Sequence, residues 1–287
     1  MNWRSFGVRI AMVSVALPLI GVLVFLLPWQ RHLALNVVVA AVAVVGSLEV
    51  VGLLGARRIP VSRWLAPVLA GTLPVAAWLQ AAGFAPPGVE LHLLWTAAAV
   101  GVILVRSIIF QRAATLRALL AYAGSSLLAV LYPGFFLSFI TRMTGLPEPA
   151  LTVAFFLCVI FGDDMLAYFL GSLLGRSTRL DLPVSPNKSI VGFAGGIAGA
   201  VIVALLFHWL AGGFPRRGLG PDIAVAAAIG ILGIVGDLVE SGLKRSAGVK
   251  DSGIIIPGRG GILDSIDSLL LAAPLFYVLL VLLPAAR

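Results

Sequence analysis

Long apolar runs recur along the whole chain and constrain its fold more than any other feature. Nine of them approach or exceed the roughly 18 residues that a helix needs to cross the hydrocarbon region of a bilayer. The runs are continuous rather than alternating, and a bilayer requires each segment to satisfy its own backbone hydrogen bonds. The sequence therefore predicts an all-α fold, a polytopic integral membrane helical bundle with about nine transmembrane helices.

The predicted spans follow from hydropathy alone. They cover residues 8–27, 33–54, 64–82, 91–110, 116–140, 150–170, 190–210, 221–240 and 269–283. Because 60% of residues are apolar, 11% are charged and the mean hydropathy is +1.09, no room is left for a soluble domain. The first run is long and lacks a small-residue cleavage site, so we expect a retained helix rather than a signal peptide.

Basic residues are distributed unequally between the two sides that nine spans define. The N-terminus and the even-numbered loops carry 15 of the 20 Lys and Arg residues, which predicts a cytoplasmic N-terminus. Loops 171–189 and 241–268 then face the cytoplasm. We expect an integral protein of a bacterial inner (plasma) membrane with its active site on the cytoplasmic side. Orientation also accounts for the net charge of +8, so we expect anionic membrane lipids as partners and no nucleic acid.

The two halves of the chain differ in chemistry, although both belong to one integrated membrane domain. We predict that residues 1–145 form transmembrane scaffold helices and that residues 146–287 form the catalytic region, because nine of the 12 acidic residues lie after residue 150. Glu49 is the notable polar residue of the scaffold. We expect it to be paired within the bundle, with contact to substrate as the alternative.

Two adjacent carboxylates, Asp163 and Asp164, lie near the cytoplasmic end of the sixth span. They cannot both be ionised there without a bound metal or a basic partner. Asp164 shares a helix face with Tyr168, and an ion pair that specifies helix register is the structural alternative. Downstream, VSPNKS supplies Ser185, Lys188 and Ser189 at the start of a helix, where backbone amides favour an anion.

Acids and bases are interleaved in the last third of the chain. Asp237, Glu240, Ser241 and Lys244 fall on one helical stripe, which suits a metal-bound nucleotide. The glycine-rich sequences GVKDSG and PGRGG follow, with Lys250 and Arg259 as charge partners for phosphate.

Asp264 and Asp267 lie three residues apart and complete the acidic set. On one helix face they would extend a metal site begun by Asp237. Oxygen ligands with no histidine or thiolate nearby predict a hard cation, Mg2+ before Ca2+ or Zn2+.

These residues resemble the signature of phosphatidate cytidylyltransferases, also called CDP-diacylglycerol synthases. The positions that match this signature are Ser241, Lys244, Arg245, Lys250, Asp251, Pro257, Gly258, Gly260, Gly261, Asp264 and Asp267. A second family motif is matched by Asp164, Ala167, Tyr168, Gly171, Gly175, Ser185, Pro186, Lys188 and Ser189. The resemblance covers roughly the last 140 residues. It departs from the family pattern at Val191 (usually Glu), Arg259 (usually His) and Ser265 (usually Arg).

The resemblance implies that CMP is transferred from CTP to phosphatidate, giving CDP-diacylglycerol and pyrophosphate with Mg2+ as cofactor. It implies Asp237, Lys250, Asp251 and Asp264 as catalytic residues and Asp237, Asp264 and Asp267 as metal ligands. Phosphate or nucleotide binding falls to Ser185, Lys188, Ser189, Ser241, Lys244, Arg245 and Arg259, with Asp164 and Tyr168 in support. It also suggests a homodimer.

The sequence leaves three alternative functions open. A paralogue acting on lysophosphatidate or a polyprenyl-type phosphate would keep the same chemistry. An ion-coupled transporter would also place acids within membrane helices, and the departures at Val191 and Ser265 allow an inactive membrane scaffold.

Overall fold

The computed structural model describes residues 18–109, 118–212, 218–256 and 260–283, and within these ranges the regular structure is helical. The longer helices, labelled in chain order, are α1 Trp29–Ala56, α2 Leu65–Ala81, α3 Leu91–Ile109, α4 Leu119–Val130, α5 Phe136–Met143, α6 Pro149–Leu174, α7 Ile190–Leu210, α8 Leu219–Ala247 and α9 Leu263–Leu282. Short π-helical turns occupy Val22–Leu26 and Leu131–Phe135, and a 3-10 turn occupies Gly175–Thr178. The only β contacts among the described residues are isolated bridges.

Seven of these helical stretches are long and apolar enough to cross a membrane, with α4 and α5 counted as one stretch, Leu119–Met143. The 17-residue α2 is a shorter apolar helix. The prediction of an all-α polytopic membrane protein is therefore confirmed. Eight of the nine predicted spans coincide with these helices. The first, 8–27, lies mostly outside the described residues, so the count of nine is not confirmed.

The two helices that carry the last motif are longer than hydropathy predicted. Helix α8 ends at Ala247 rather than at residue 240, and α9 begins at Leu263 rather than at residue 269. Charged side chains lower the hydropathy of a segment without breaking its helix. Gly248 ends α8 instead, at a positive φ of 76° that glycine adopts without strain. Lys244, Asp264 and Asp267 consequently lie on helices and not in a loop.

The chain divides into two compact units. The first unit takes its residues from Met1–Leu26, Leu146–Gly242 and Ile266–Arg287, and the second takes them from Leu27–Gly145 and Leu243–Ser265. Helices α8 and α9 each contribute residues to both.

Aromatic side chains and close helix contacts form the core of the first unit. Phe276 of α9 stacks on Phe156 of α6, with ring centroids 5.4 Å apart. Glycines allow α6 and α7 to approach each other, since a Cβ at Gly162 would meet Val203 of α7 at 2.6 Å. Small residues are what membrane helices use for such contacts.

The second unit packs the helices of the N-terminal half against one another. Gly134, in the π-helical turn, lies against the backbone of Ala70 in α2, where a Cβ would approach to 2.7 Å. The Ser62 amide donates a hydrogen bond of 2.9 Å to Ser126 Oγ, which ties the start of α2 to α4. This unit also contains the connection between α8 and α9.

Candidate active site

Some of the predicted site residues, together with residues that the sequence did not assign to the site, form two clusters, one in each unit. The acidic cluster of the first unit consists of Asp163, Asp164, Asp237, Glu240 and Asp267. The glycine-turn cluster of the second unit consists of Glu49, Lys244, Ser252, Gly261 and Asp264.

Three helices bring the acidic cluster together. Asp267 of α9 interacts electrostatically with Asp164 of α6 and with Asp237 and Glu240 of α8. Helix α9 can approach α8 because residue 236 is glycine, and a Cβ there would collide with the Asp267 carbonyl oxygen. The i and i+3 positions of Asp237 and Glu240 place both carboxylates on the stripe that the sequence predicted.

Lys188 is a base that contacts this cluster. Its Nζ forms an ion pair with Asp237 Oδ2 and interacts electrostatically with Asp163. A folded-back connection positions the lysine, since the Leu180 amide donates to the Lys188 carbonyl at 2.9 Å and the Lys188 amide donates to the Ser185 carbonyl at 3.3 Å. The basic partner that the sequence required for the aspartate pair, as the alternative to a metal, is therefore present.

Hydroxyl groups complete the first unit's site. Ser189 caps α7 by accepting a hydrogen bond of 3.0 Å from the Gly192 amide, the interaction expected of an N-cap serine. Ser268 Oγ donates to Asp164 Oδ1 at 3.1 Å, and the Ser268 amide donates to Asp267 Oδ1 at 2.7 Å. Tyr168 lies one turn beyond Asp164 on α6 and is half-buried.

Asp264 is the centre of the glycine-turn cluster. Its Oδ1 pairs with Lys244 Nζ at 2.5 Å. Its Oδ2 accepts hydrogen bonds from the Ser252 amide at 2.8 Å, the Ser252 hydroxyl at 2.8 Å and the Gly261 amide at 2.7 Å. A largely buried carboxylate is costly unless it is paired and hydrogen-bonded, and Asp264 meets both conditions.

Glycine is required at the turn itself. Gly260 has a φ of 113°, a conformation that side chains of L-residues rarely adopt. A Cβ at this position would also collide with the Asp264 carboxylate. The absence of a side chain lets the turn close over Asp264.

The remaining predicted residues differ in exposure. Arg245, Lys250 and Asp251 are exposed, and Arg245 Nη1 donates to the Val249 carbonyl at 3.4 Å. Ser241 is largely buried. Arg259 lies outside the described residues, as do Pro257 and Gly258.

The donor chemistry of the two clusters bears on the predicted metal. Carboxylate and hydroxyl oxygens dominate both clusters, and these are the ligands that Mg2+ prefers. Within the described ranges, no three His, Cys, Asp or Glu side chains are grouped as a ready-made metal site. Asp237 and Asp264 instead each pair with a lysine. The oxygen donors fit Mg2+ in kind, and a metal at either aspartate would have to share the carboxylate with that lysine.

Sequence reasoning missed Ser252 and Ser268 and the contacts of Glu49. Both serines follow a predicted acidic residue directly, a weak signal because hydroxyls beside acids are common. Glu49 stood out as an isolated acid in an apolar helix. Its partners are more than 200 residues away in the sequence, so hydropathy could not identify them.

Together these features define a polytopic membrane protein in which motif lysines are paired with motif aspartates of apolar helices. Comparison with known proteins narrows this class. The chain belongs to the cytidylyltransferase family, whose model matches residues 7–283.

Curated relatives agree with this assignment. The chain is 42% identical over 161 residues to a phosphatidate cytidylyltransferase of Bacillus subtilis, a match that covers 55% of this chain and 58% of the relative. A phosphatidate cytidylyltransferase of Synechocystis is 42% identical over 132 residues, or 46% of this chain and 43% of the relative. One from Staphylococcus epidermidis is 38% identical over 161 residues, or 55% and 59%. The chain thus spans about half the length of the curated relatives it matches.

Proposed function

We propose that this protein transfers CMP from CTP to phosphatidate and so forms CDP-diacylglycerol and pyrophosphate. The observation that carries the proposal is the pairing of motif residues, Lys188 with Asp237 and Lys244 with Asp264. Each pair holds a phosphate-binding base beside a metal-binding acid. The family match and the names of the relatives support the same activity.

The reaction makes modest demands on the protein. A phosphate oxygen of phosphatidate attacks the α-phosphorus of CTP, and a new P–O bond forms while the bond to the bridging α–β oxygen breaks. Pyrophosphate leaves with that electron pair. The nucleophile is already an anion, so catalysis consists mainly of aligning two anions and compensating their repulsion.

In this proposal the basic residues bind phosphate and the acidic residues are their partners before the nucleotide binds. Lys188 and Lys244 neutralise phosphate oxygens, and exposed Arg245 and Lys250 bind those that extend towards water. When the nucleotide arrives, its phosphates compete with Asp237 and Asp264 for the lysines and release both carboxylates.

We propose Asp237 and Asp267, in the first unit, and Asp264, in the second, as residues that would bind Mg2+. Bound there, Mg2+ would neutralise charge on the transferring phosphoryl group. Asp264 would contribute Oδ1, because its Oδ2 already accepts three hydrogen bonds. Asp164 would support Asp267 through Ser268.

We also propose that the site faces the cytoplasm across a bacterial inner membrane. CTP is available on that side, and the excess of basic residues on the corresponding loops supports this orientation. The lipid phosphate would then meet the nucleotide at the membrane surface.

Label transfer from alpha-labelled CTP into lipid tests the proposal. Purified protein in mixed micelles receives phosphatidate, lysophosphatidate or a polyprenyl phosphate in separate reactions, with and without Mg2+. We expect product with phosphatidate only when Mg2+ is present. Asp264→Asn should lower kcat/KM by about a hundredfold or more, as expected when a group that compensates transition-state charge is lost.

Asp181→Asn is the matched control. Asp181 is exposed and has a φ of 46°, a conformation that asparagine tolerates, so this variant should retain activity. Product with another acceptor alone would show that this chain is a paralogue with the same chemistry. A folded protein that gives no product with any acceptor would contradict the proposal and favour a scaffold or a transporter.

A further inference from the structure

The connection between α8 and α9 is held at both ends by a helix of the N-terminal half. We call residues 248–262 the motif loop, of which 248–256 and 260–262 are described. This loop carries Lys250, Asp251 and the glycine turn. Both of its anchors come from α1 or the residue directly after it, within the second unit.

Glu49 holds the end of the loop. Its side chain accepts hydrogen bonds from the Ile262 amide at 2.8 Å and from the Leu263 amide at 2.7 Å. These amides begin α9, and the first amides of a helix have no partner within the helix. The carboxylate therefore satisfies them and also complements the positive end of the α9 dipole.

Two glycines of the motif loop leave room for this carboxylate. A Cβ at Gly253 would approach Glu49 Oε1 to 2.7 Å, and a Cβ at Gly261 would approach the same oxygen to 2.5 Å. Glu49 is only 7% exposed. A buried acid in an apolar helix is costly unless donors surround it, and the motif loop wraps closely enough to supply them.

Arg57 holds the beginning of the loop. Its Nε donates a hydrogen bond of 2.8 Å to the Ser246 carbonyl in the last turn of α8. Its guanidinium also lies beside Gly248, where a Cβ would be 3.1 Å from Nη2. A cation is favourable at this negative helix end. Arg57 lies eight positions after Glu49, a rise of about 12 Å along a helix, so α1 and the residue that follows it hold both ends of the loop.

Ser252 connects this anchorage to the site. Its hydroxyl lies 3.0 Å from Glu49 Oε2 and 2.8 Å from Asp264 Oδ2. Asp264 in turn pairs with Lys244. A displacement of Glu49 therefore reaches Asp264 through a single side chain.

We propose that Glu49 is a positioning residue that holds the motif loop and Asp264 in register for nucleotidyl transfer, with Arg57 as the second anchor. This inference rests on the proposed function for its catalytic consequence, although the anchoring of the loop does not. The N-terminal half would then take part in catalysis through α1 rather than act only as a scaffold.

A spin label on the motif loop tests the anchoring without any substrate. The label is attached at Ile254→Cys, an exposed position (95%), in a Cys158→Ala background that removes the only native cysteine. We expect Glu49→Gln to increase label mobility, because a side-chain amide has one acceptor oxygen, whereas the carboxylate accepts from the Ile262 and Leu263 amides through two. Arg57→Gln should act in the same direction.

Kinetics of the same variants test the catalytic consequence. We expect Glu49→Gln to lower kcat/KM by about ten- to a hundredfold, the range for a misplaced reacting geometry. Ser252→Ala should add little to the loss in Glu49→Gln, since both act through one network. Glu90→Gln is the matched control, because Glu90 belongs to the same half but is exposed and pairs with Arg142 instead of the motif loop. Glu90→Gln should change neither the mobility of the label nor kcat/KM.

Each outcome decides the inference. An unchanged label spectrum in Glu49→Gln, or full activity with a mobile loop, would overturn it. If Glu49→Gln does not elute as a folded protein, Ser252→Ala and Arg57→Gln answer the same questions in its place. A wild-type protein that transfers no CMP would contradict the proposed function alone, while the label would still decide whether Glu49 anchors the loop.

Discussion

Two charged residues of the candidate site, Asp237 and Asp264, are stabilised by specific partners. Asp237 has Lys188, and Asp264 has Lys244 together with three further donors. Burial of an unpaired charge costs far more than burial of a pair, so these contacts allow acids to lie on apolar helices. The same contacts place a base beside an acid in each pair.

The Lys188–Asp237 pair yields a stability prediction. Lys188→Met should lower the free energy of unfolding by about 1–3 kcal/mol, the usual cost of leaving a charged group without its hydrogen-bond partner. Asp237 would then face Asp267 with no compensating base from Lys188. Thermal unfolding in detergent, followed by tryptophan fluorescence, measures the change.

Two further variants make this prediction specific. The double variant Lys188→Met with Asp237→Asn should recover part of the lost stability, because it removes the uncompensated charge. Arg176→Met changes an exposed base in the same unit and should have little effect. Equal losses of stability in the two lysine variants and in Arg176→Met would show that the Lys188–Asp237 ion pair makes no specific contribution.

At the scale of helices, glycine decides how closely α6 and α7 approach. A Cβ at Gly199 would collide with the Gly162 carbonyl group and would lie 3.1 Å from Leu166 Cβ. The two helices therefore meet backbone to backbone. This contact supports Asp163 and Asp164 on α6 and the start of α7, where Ser189 forms the N-cap.

Gly199→Ala should consequently destabilise the protein, although alanine favours helices. We expect a loss of about 1–3 kcal/mol from overpacking. Gly101→Ala in α3 is the matched control, because a Cβ there meets nothing within 4 Å; it should be neutral or slightly stabilising. Unfolding in detergent compares the two. A neutral Gly199→Ala would show that α6 and α7 can separate without cost.

For the molecule as a whole, the expected orientation follows from the loop charges. The helices confirm an integral membrane protein, and the cytoplasmic N-terminus stays a prediction. So does the homodimer that the family resemblance suggested.

Cysteine labelling tests the orientation directly. In a Cys158→Ala background, a membrane-impermeant maleimide should label Pro87→Cys in intact cells. Ser177→Cys should be labelled only after the cells are permeabilised. Both positions are exposed, so access to the reagent decides the result. The reverse pattern would invert the orientation and move the proposed site away from cytoplasmic CTP.

The sequence alone determined the class of fold, the approximate spans and the candidate site residues. Hydropathy sufficed for the helices because a bilayer leaves the backbone few alternatives. Motif spacing sufficed to select Lys188, Asp237, Lys244 and Asp264 as candidates. Hydropathy could not locate the helix ends at Ala247 and Leu263, because charged residues lower the hydropathy of a segment without ending its helix.

Only the tertiary structure decided which residues pair. Lys188 with Asp237, and Glu49 with the start of α9, join parts of the chain that no periodicity connects. It also showed why Gly236, Gly253 and Gly260 are glycines, since each lies where another group occupies the space of a side chain. The spacing of residues along a helix predicts which of them are neighbours on that helix. Contacts between distant segments depend on how the helices pack, and that is settled only when the chain folds.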